Sequence, residues 1–258
     1  MAGTRKGTIK WLAIAAAIAV CCMLFQKFMY VEIEEEKFCI LSPKVDVSHL
    51  TTNEELKKLS AFVNLKVLNF RFVTRKGKAS DLSFLKKHTK LKVLYASMYG
   101  DGEVDFSPLD NCNDIEDLGL TCYNAEGKCI GQMSELKKLF LQTEVINDIG
   151  LIWNCGELEN VGIYMTDDNY DISVDGIGGL DKLEFLYLCG GKVTDAEELS
   201  GCEKLSELGL ICEPGDVSFL TDMPALKTLH VYEGVLSQQT KAELEEKGVE
   251  IEILKKSE

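Results

Sequence analysis

The sequence predicts an α/β solenoid: short parallel strands stacked turn upon turn on one continuous apolar core, in about eight repeats capped at both ends. Three observations lead there. First, the frame L-x-x-L-x-L recurs, beginning at Leu65, Leu91, Ile115, Leu136, Leu158, Leu183, Leu205 and Leu226, at spacings of 26, 24, 21, 22, 25, 22 and 21 residues. Second, two more positions repeat with it. Six residues before each start stand Leu59, Leu85, Leu109, Ile130, Ile152, Ile177, Leu199 and Leu220; three before stand Phe62, His88, Cys112, Met133, Cys155, Leu180, Cys202 and Met223. Third, five positions in eight units make 40, and only His88 among them is not apolar, in a chain that is 46% hydrophobic. Chance does not give that. L-x-L alternation is a strand with every second residue inward, and the every-third spacing before it carries the chain back along the opposite side. One unit cannot cover its own apolar edge, so units stack and share a core.

The amino terminus stands apart from this pattern. Residues 1–10 are basic, and Trp11–Phe25 is an uncharged apolar run that Phe28, Met29, Tyr30 and Val31 extend. With that extension, 11–31 reaches the roughly 20 residues of a membrane span. A cleaved signal peptide needs small residues after the run, whereas Met23, Leu24, Phe25 and Gln26 stand there. Whether the segment is retained, cleaved, or lipidated within "IAVC" (18–21) stays open. Basic residues before the run and "EIEEE" after it place the amino terminus in the cytoplasm and the repeats outside it. Next, "VDVSHL" (45–50) reads as a strand and "NEELKKLSAF" (53–62) as a helix, within an amino-terminal cap over 32–64. The repeats fill 65–236. Over 237–258, "TKAELEEKG" reads as a closing helix with Thr240 and Glu243 as its capping box and Gly248 as its stop. "VEIEI" then alternates as a last strand, Ile251 and Ile253 falling 22 residues after Leu229 and Val231.

On this frame the chain resembles leucine-rich repeat proteins over residues 59–236. The segments "VINDIGLI", "KVTDAEEL" and "GDVSFL" resemble the I-x-D-I-x-x-L return of the internalin-like bacterial subclass. The resemblance implies a parallel strand on a concave face and a binding role for that face. One departure stands out. The family places an Asn eight residues after the first leucine, where its amide ladders hydrogen bonds between turns. Here those positions are Val73, Tyr99, Tyr123, Glu144, Thr166, Gly191, Glu213 and Gly234.

Composition narrows the function. The formal charge is −14, and residues 1–30 hold four basic groups and no acid, so the other 24 basic and 42 acidic residues leave −18 on the rest. Such a surface repels nucleic acid. Among ten cysteines, Cys112, Cys155 and Cys202 share the three-before core position and read as small buried hydrophobes. Pairings of Cys122 with Cys129 and of Cys189 with Cys212 stay open. No C-x-x-C pair supports zinc. "DDNYDISVDG" (167–176) lacks the Gly and Glu of a calcium loop, having Ile172 and Gly178 in their places, and reads as a solvated acidic turn. His49, His88 and His230 fall in the cap, the core and the strand face. Nothing in the sequence implies a catalytic site, a metal or a cofactor.

Between the two inward residues of each strand lies an outward one: Asn69, Tyr95, Gly119, Phe140, Gly162, Tyr187, Gly209, His230. From Tyr95 onward, rings and glycines alternate. Strands about 4.8 Å apart would crowd a ring on every strand; with glycine between, each ring can tilt over bare backbone. Tyr164, Phe185 and Tyr232 fall on the same face. Two readings follow. Rings that shelter glycines are packing; rings that form an exposed aromatic patch are a contact site. On the second reading Tyr95, Phe140, Tyr164, Phe185, Tyr187, His230 and Tyr232 bind a protein or glycan ligand, and the protein is a membrane-anchored, non-enzymatic surface module. A spacer with no ligand and an effector released from its signal peptide are the rivals.

Overall fold

The computed structural model describes residues 29–73, 80–100 and 104–255. It opens with an antiparallel hairpin, β1 (Tyr30–Ile33) and β2 (Glu36–Cys39). One parallel sheet follows, running in order through β3 (Lys44–Leu50), β4 (Val67–Val73), β5 (Val93–Tyr99), β6 (Asp117–Glu126) and β7 (Lys138–Asn147). It continues through β8 (Asn160–Met165), then β10 (Phe185–Thr194), β11 (Glu207–Glu213), β12 (Thr228–Tyr232) and β13 (Glu250–Leu254), while β9 (Asp171–Ser173) pairs with the far end of β10.

The register is the repeat frame. Leu68, Leu94, Leu118, Leu139, Val161, Leu186, Leu208, Leu229 and Ile251 stand opposite one another from strand to strand. All 40 frame positions are buried, the most accessible being Leu226 at 8%. The chain therefore folds as a leucine-rich-repeat solenoid.

The return path consists mainly of 3₁₀ turns: Ser83–Lys87, Ser107–Asn111, Ile149–Asn154, Ile177–Gly179, Ala196–Gly201 and Ser218–Asp222. With three residues per turn, every third side chain falls on the core side. Aspartate starts five of these six turns, in two ways, and Gly176, with a φ of 88°, starts the Ile177–Gly179 turn. The carboxylates of Asp81, Asp105 and Asp216 accept the backbone N–H of Ser83, Ser107 and Ser218 at 3.0, 2.9 and 2.9 Å. Asp148 and Asp195 instead take left-handed φ of 53° and 59°, a conformation that Asp tolerates better than most residues.

Backbone bonds join the turns at the strand starts, the end opposite to the asparagine positions. At the start of each strand from β4 to β12, β9 aside, two consecutive N–H groups donate to one carbonyl of the turn before. Lys92 and Val93 share Lys66 O at 2.8 and 3.0 Å, and Glu159 and Asn160 share Lys137 O at 2.8 and 3.0 Å. The same pattern runs from Pro43 O, which takes Lys66 and Val67, to Ser206 O, which takes Lys227 and Thr228. Because it uses backbone alone, the sequence does not display it. A second, partial ladder runs through the core. His88 Nε2 donates to Leu59 O at 3.0 Å, and the thiols of Cys112, Cys155 and Cys202 point at Leu85 O, Ile130 O and Ile177 O at 3.7, 3.2 and 3.3 Å. His88, the one non-apolar frame residue, thus has a place: it satisfies the same carbonyl of the preceding turn as the cysteines do.

At the ends, several expectations change. The helix expected over 53–62 is α-helical only over Asn53–Lys58, with Thr52 and Glu55 as its capping box, and tightens to 3₁₀ over Leu59–Ala61. The carboxy-terminal helix is Gln238–Glu246, and Ser237, not Thr240, is its N-cap, because the Ser237 hydroxyl accepts Thr240 N–H at 3.0 Å. Tyr30 and Val31, read as the end of the apolar segment, pair in β1 with Cys39 and Phe38. The rest of that segment, 11–28, lies outside the described residues. Among the described residues no helix is long and apolar enough to cross a membrane.

Both disulfide pairings are absent, since all eight described cysteines are free thiols. Cys189 stands opposite Ile211 in the register, so Cys212 falls on the other side of the sheet. Burial pushes the thiols of Cys122, Cys129, Cys202 and Cys212 up to about 12, and those of Cys112 and Cys155 up to about 11.

Candidate functional site on the strand face

Outward-pointing residues of β5 to β13 build the candidate site. The frame fixes their direction: from Tyr95 to His230 each ring or glycine of the alternation lies between two buried residues of its strand, and alternate side chains leave a strand on opposite faces. Glycine and ring meet as the spacing predicts. A methyl group added to Gly119 would overlap the Tyr95 ring, and one added to Gly209 would overlap the Tyr187 ring. At Gly162 it would meet Tyr164 Cε2 at 3.2 Å and Phe140 Cδ2 at 3.6 Å. All three glycines are buried, though no side chain of their own covers them.

The rings then join. Phe140 meets Tyr164 at 5.1 Å between centroids, Tyr164 meets Tyr187 at 5.8 Å, and Tyr187 meets Phe185 at 6.1 Å and His230 at 5.8 Å. The planes of Tyr164 and Phe185 lie within 19° and 13° of Tyr187. Five of the seven singled-out residues therefore form one connected row. Tyr95 stands apart, its hydroxyl donating to both carboxylate oxygens of Asp117 at 2.8 Å. Tyr232 is half-buried on β12 and outside the ring contacts.

Between Tyr95 and the row is a shallow hollow of about 250 Å³, lined by Tyr95, Phe140, Tyr164 and Phe185, with Asp117, Lys138 and Asn160 on its polar side and Gly162 beneath. Phe140 and Tyr95 are the most accessible rings here, at 41% and 39%. Burial, with the Asp117 hydrogen bond, pushes the Tyr95 phenol up to about 12, and burial raises those of Tyr164, Tyr187 and Tyr232. All four therefore keep their protons at neutral pH, the Tyr95 proton being already donated to Asp117.

His230 closes the row between two carboxylates. Its Nδ1 is 2.8 Å from Glu252 Oε2 on β13. Its Nε2 is 3.4 Å from Glu207 Oε1 on β11, an ion-pair distance without hydrogen-bond alignment. Asp117, Lys138, Asn160, Glu207 and Glu252 were not singled out from the sequence. Four of them occupy the residue before the first inward leucine of the strand, and Glu252 is the outward residue of the closing strand. That row also contains Phe185, and only the shared face shows that its acids and amide lie beside the rings. The turn at Asp167 is a local one, its carboxylate accepting Asn169 N–H at 2.9 Å. Among the described residues no three His, Cys, Asp or Glu side chains are grouped to hold a metal.

The face belongs to a leucine-rich-repeat solenoid, and the sheet register is what defines the class. No protein-family model and no curated protein matches the sequence. Two solved structures are similar to it. An internalin C2 from Listeria monocytogenes str. 4b F2365 is 17% identical, over 80% of this chain and 84% of its own, with a TM-score of 0.44. A plant peptide hormone receptor, RGFR1, solved in complex with RGF2, is 13% identical, over 82% of this chain and 43% of its own, with a TM-score of 0.47.

Proposed function

We propose that this protein is a non-enzymatic binding module of the internalin-like kind, tethered to a membrane through residues 11–31, with its solenoid outside the cytoplasm and a protein or glycan ligand on the strand face. The observation that supports the binding role is the connected ring row from Phe140 to His230 beside a hollow of about 250 Å³. Rigid rings with polar tips make strong anchors, because burying them against a partner freezes few torsions.

Ring-on-glycine contact favours a second reading, in which the rings serve only to stabilise the sheet. Phe140 separates the two, since its ring is 41% accessible whereas Tyr187 is half-buried over Gly209. The full chain, immobilised, is offered extracts of the surface it faces, and captured material is compared between wild type and F140A. The binding reading expects capture to fall at least tenfold with the melting temperature little changed. A lower melting temperature with capture intact in the folded protein would leave only packing. Protease added to intact cells tests the tether: digestion of the solenoid before lysis is expected, and protection until lysis would reverse the orientation.

A further inference from the structure

We propose that the ligand of the carboxy-terminal half of the strand face is a basic peptide segment, whose arginine or lysine side chains lie across the rings of Tyr164, Phe185 and Tyr187 and pair with Glu207 and Glu252. This rests on the strand face being a binding surface and goes further by naming the chemistry of what it binds.

The charge distribution along the face comes first. From β8 to β13 the outward residues are Asn160, Gly162 and Tyr164; Phe185, Tyr187 and Cys189; Glu207, Gly209, Ile211 and Glu213; Thr228, His230 and Tyr232; Glu250, Glu252 and Leu254. Four are glutamates, and beyond the bulge that follows Cys189 one lysine, Lys192, stands opposite Glu213 at the far end of β10. The other cations of the face stand on earlier strands: Lys44 on β3, Arg71 on β4 and Lys138 on β7. The face is therefore amphoteric at its amino-terminal end, whereas around the rings the acids Glu207, Glu250 and Glu252 prevail and the single cation, Lys192, lies at the far end of β10 against Glu213. The −18 carried by residues 31–258 extends this field and favours approach of a cation.

Local geometry supplies the rest. Glu207 and Glu252 flank His230 from the two neighbouring strands, each using one carboxylate oxygen on the imidazole. Their second oxygens, Glu207 Oε2 and Glu252 Oε1, have no partner among the described residues, and the side chains are 45% and 59% accessible. Tyr187 touches His230 at 5.8 Å, so the carboxylates border the ring row rather than lying apart from it. A cation over a ring is attracted by its negative face within about 6 Å of the centroid. Guanidinium suits the arrangement best, because it stacks flat on an aromatic ring and forks onto a carboxylate. A neutral sugar would use the rings but not the acids.

The test uses the full chain in a neutral detergent and a fluorescein-labelled octapeptide alternating arginine and serine, followed by fluorescence anisotropy. Saturable binding is expected, at least tenfold weaker in E207Q/E252Q and in Phe185→Ala, and within twofold of wild type in E197Q/E198Q, which removes charge from the Ala196–Gly201 turn on the return side. The single variants E207Q and E252Q make the same comparison should the double variant melt early. Three outcomes overturn the proposal: no saturable binding, equal weakening by E197Q/E198Q, or equal affinity for the glutamate–serine counterpart. If the arginine peptide does not bind while capture still depends on Phe140, the basic ligand is excluded and the binding role of the face stands.

Discussion

Gly209 is a position where one added methyl group should be felt. The Tyr187 ring lies on it and is itself confined by Tyr164, Phe185 and His230, so it cannot swing aside cheaply. Gly209→Ala is expected to cost ~1–3 kcal/mol, the usual range for overpacking. With Tyr187→Ala in the same chain the two losses should fall well short of additive, since Tyr187→Ala removes the ring that Gly209→Ala collides with. Denaturant unfolding of the cycle decides it; simple additivity would mean that the ring does not sit there. His88 gives a pH prediction. Burial, with the nearby Lys87 charge, holds its pKa below the usual 6.5, against a smaller upward pull from its bond to Leu59 O. The folded state therefore favours neutral His88. Its contribution is fully present above pH 6.5 and is lost as pH falls below 6.5 towards the folded value, by at most ~1.4 kcal/mol per pH unit for one proton. The carboxylates held low, such as Glu55 and Asp81, act only further down, below about 4.5. His88→Leu should flatten the stability profile below pH 6.5, above the range in which the carboxylates titrate, as read from unfolding midpoints; an unchanged slope would show that His88 is not the titrating group. The ring–glycine alternation was legible in the sequence because it depends on strand spacing alone. The roles of Glu207 and Glu252 were not, because they arise from which side chains flank His230 on two other strands.

Each strand with its return turn depends on both neighbours. Leu139 on β7 is 3% exposed and stands between Leu118 and Val161 in the register. Leu139→Ala is expected to cost ~2–5 kcal/mol through lost contacts and a cavity. Because turns are stabilised by their interfaces, the loss should also raise amide exchange in β6 and β8. A change below about 1 kcal/mol would place Leu139 outside the core. Strand positions and inward residues were readable because an inward-facing period of two followed by a period of three has few solutions. Element ends were less so. Thr240 and Glu243 fit a capping box on paper, yet Ser237 lies one turn earlier and reaches the same N–H group first. The return turns were read as a spacing only, and their two entry geometries, at Asp81 and at Asp148, are set by local backbone that the spacing does not encode.

Across the whole molecule, the ladder of paired N–H groups is indifferent to side chains, so it alone would let any turn be exchanged for any other. The outer face forbids this. Since Tyr187 needs a bare neighbour and Gly209 needs a cover, the smallest block that tiles the sheet is two turns, like a crystal whose true cell is double its apparent one. Lengthening the protein should respect that cell. Inserting a second copy of residues 183–225 preserves the order of ring and glycine, and a single cooperative melt close to that of the parent is expected. Inserting a second copy of residues 183–204 instead sets two Tyr187 rings on adjacent strands about 4.8 Å apart, and the melting temperature should drop although every leucine remains in register. Equal melts for the two insertions would reduce the cell to one turn. Otherwise these solenoids grow on this face by pairs, and an odd number of added turns is a defect that the leucines cannot repair.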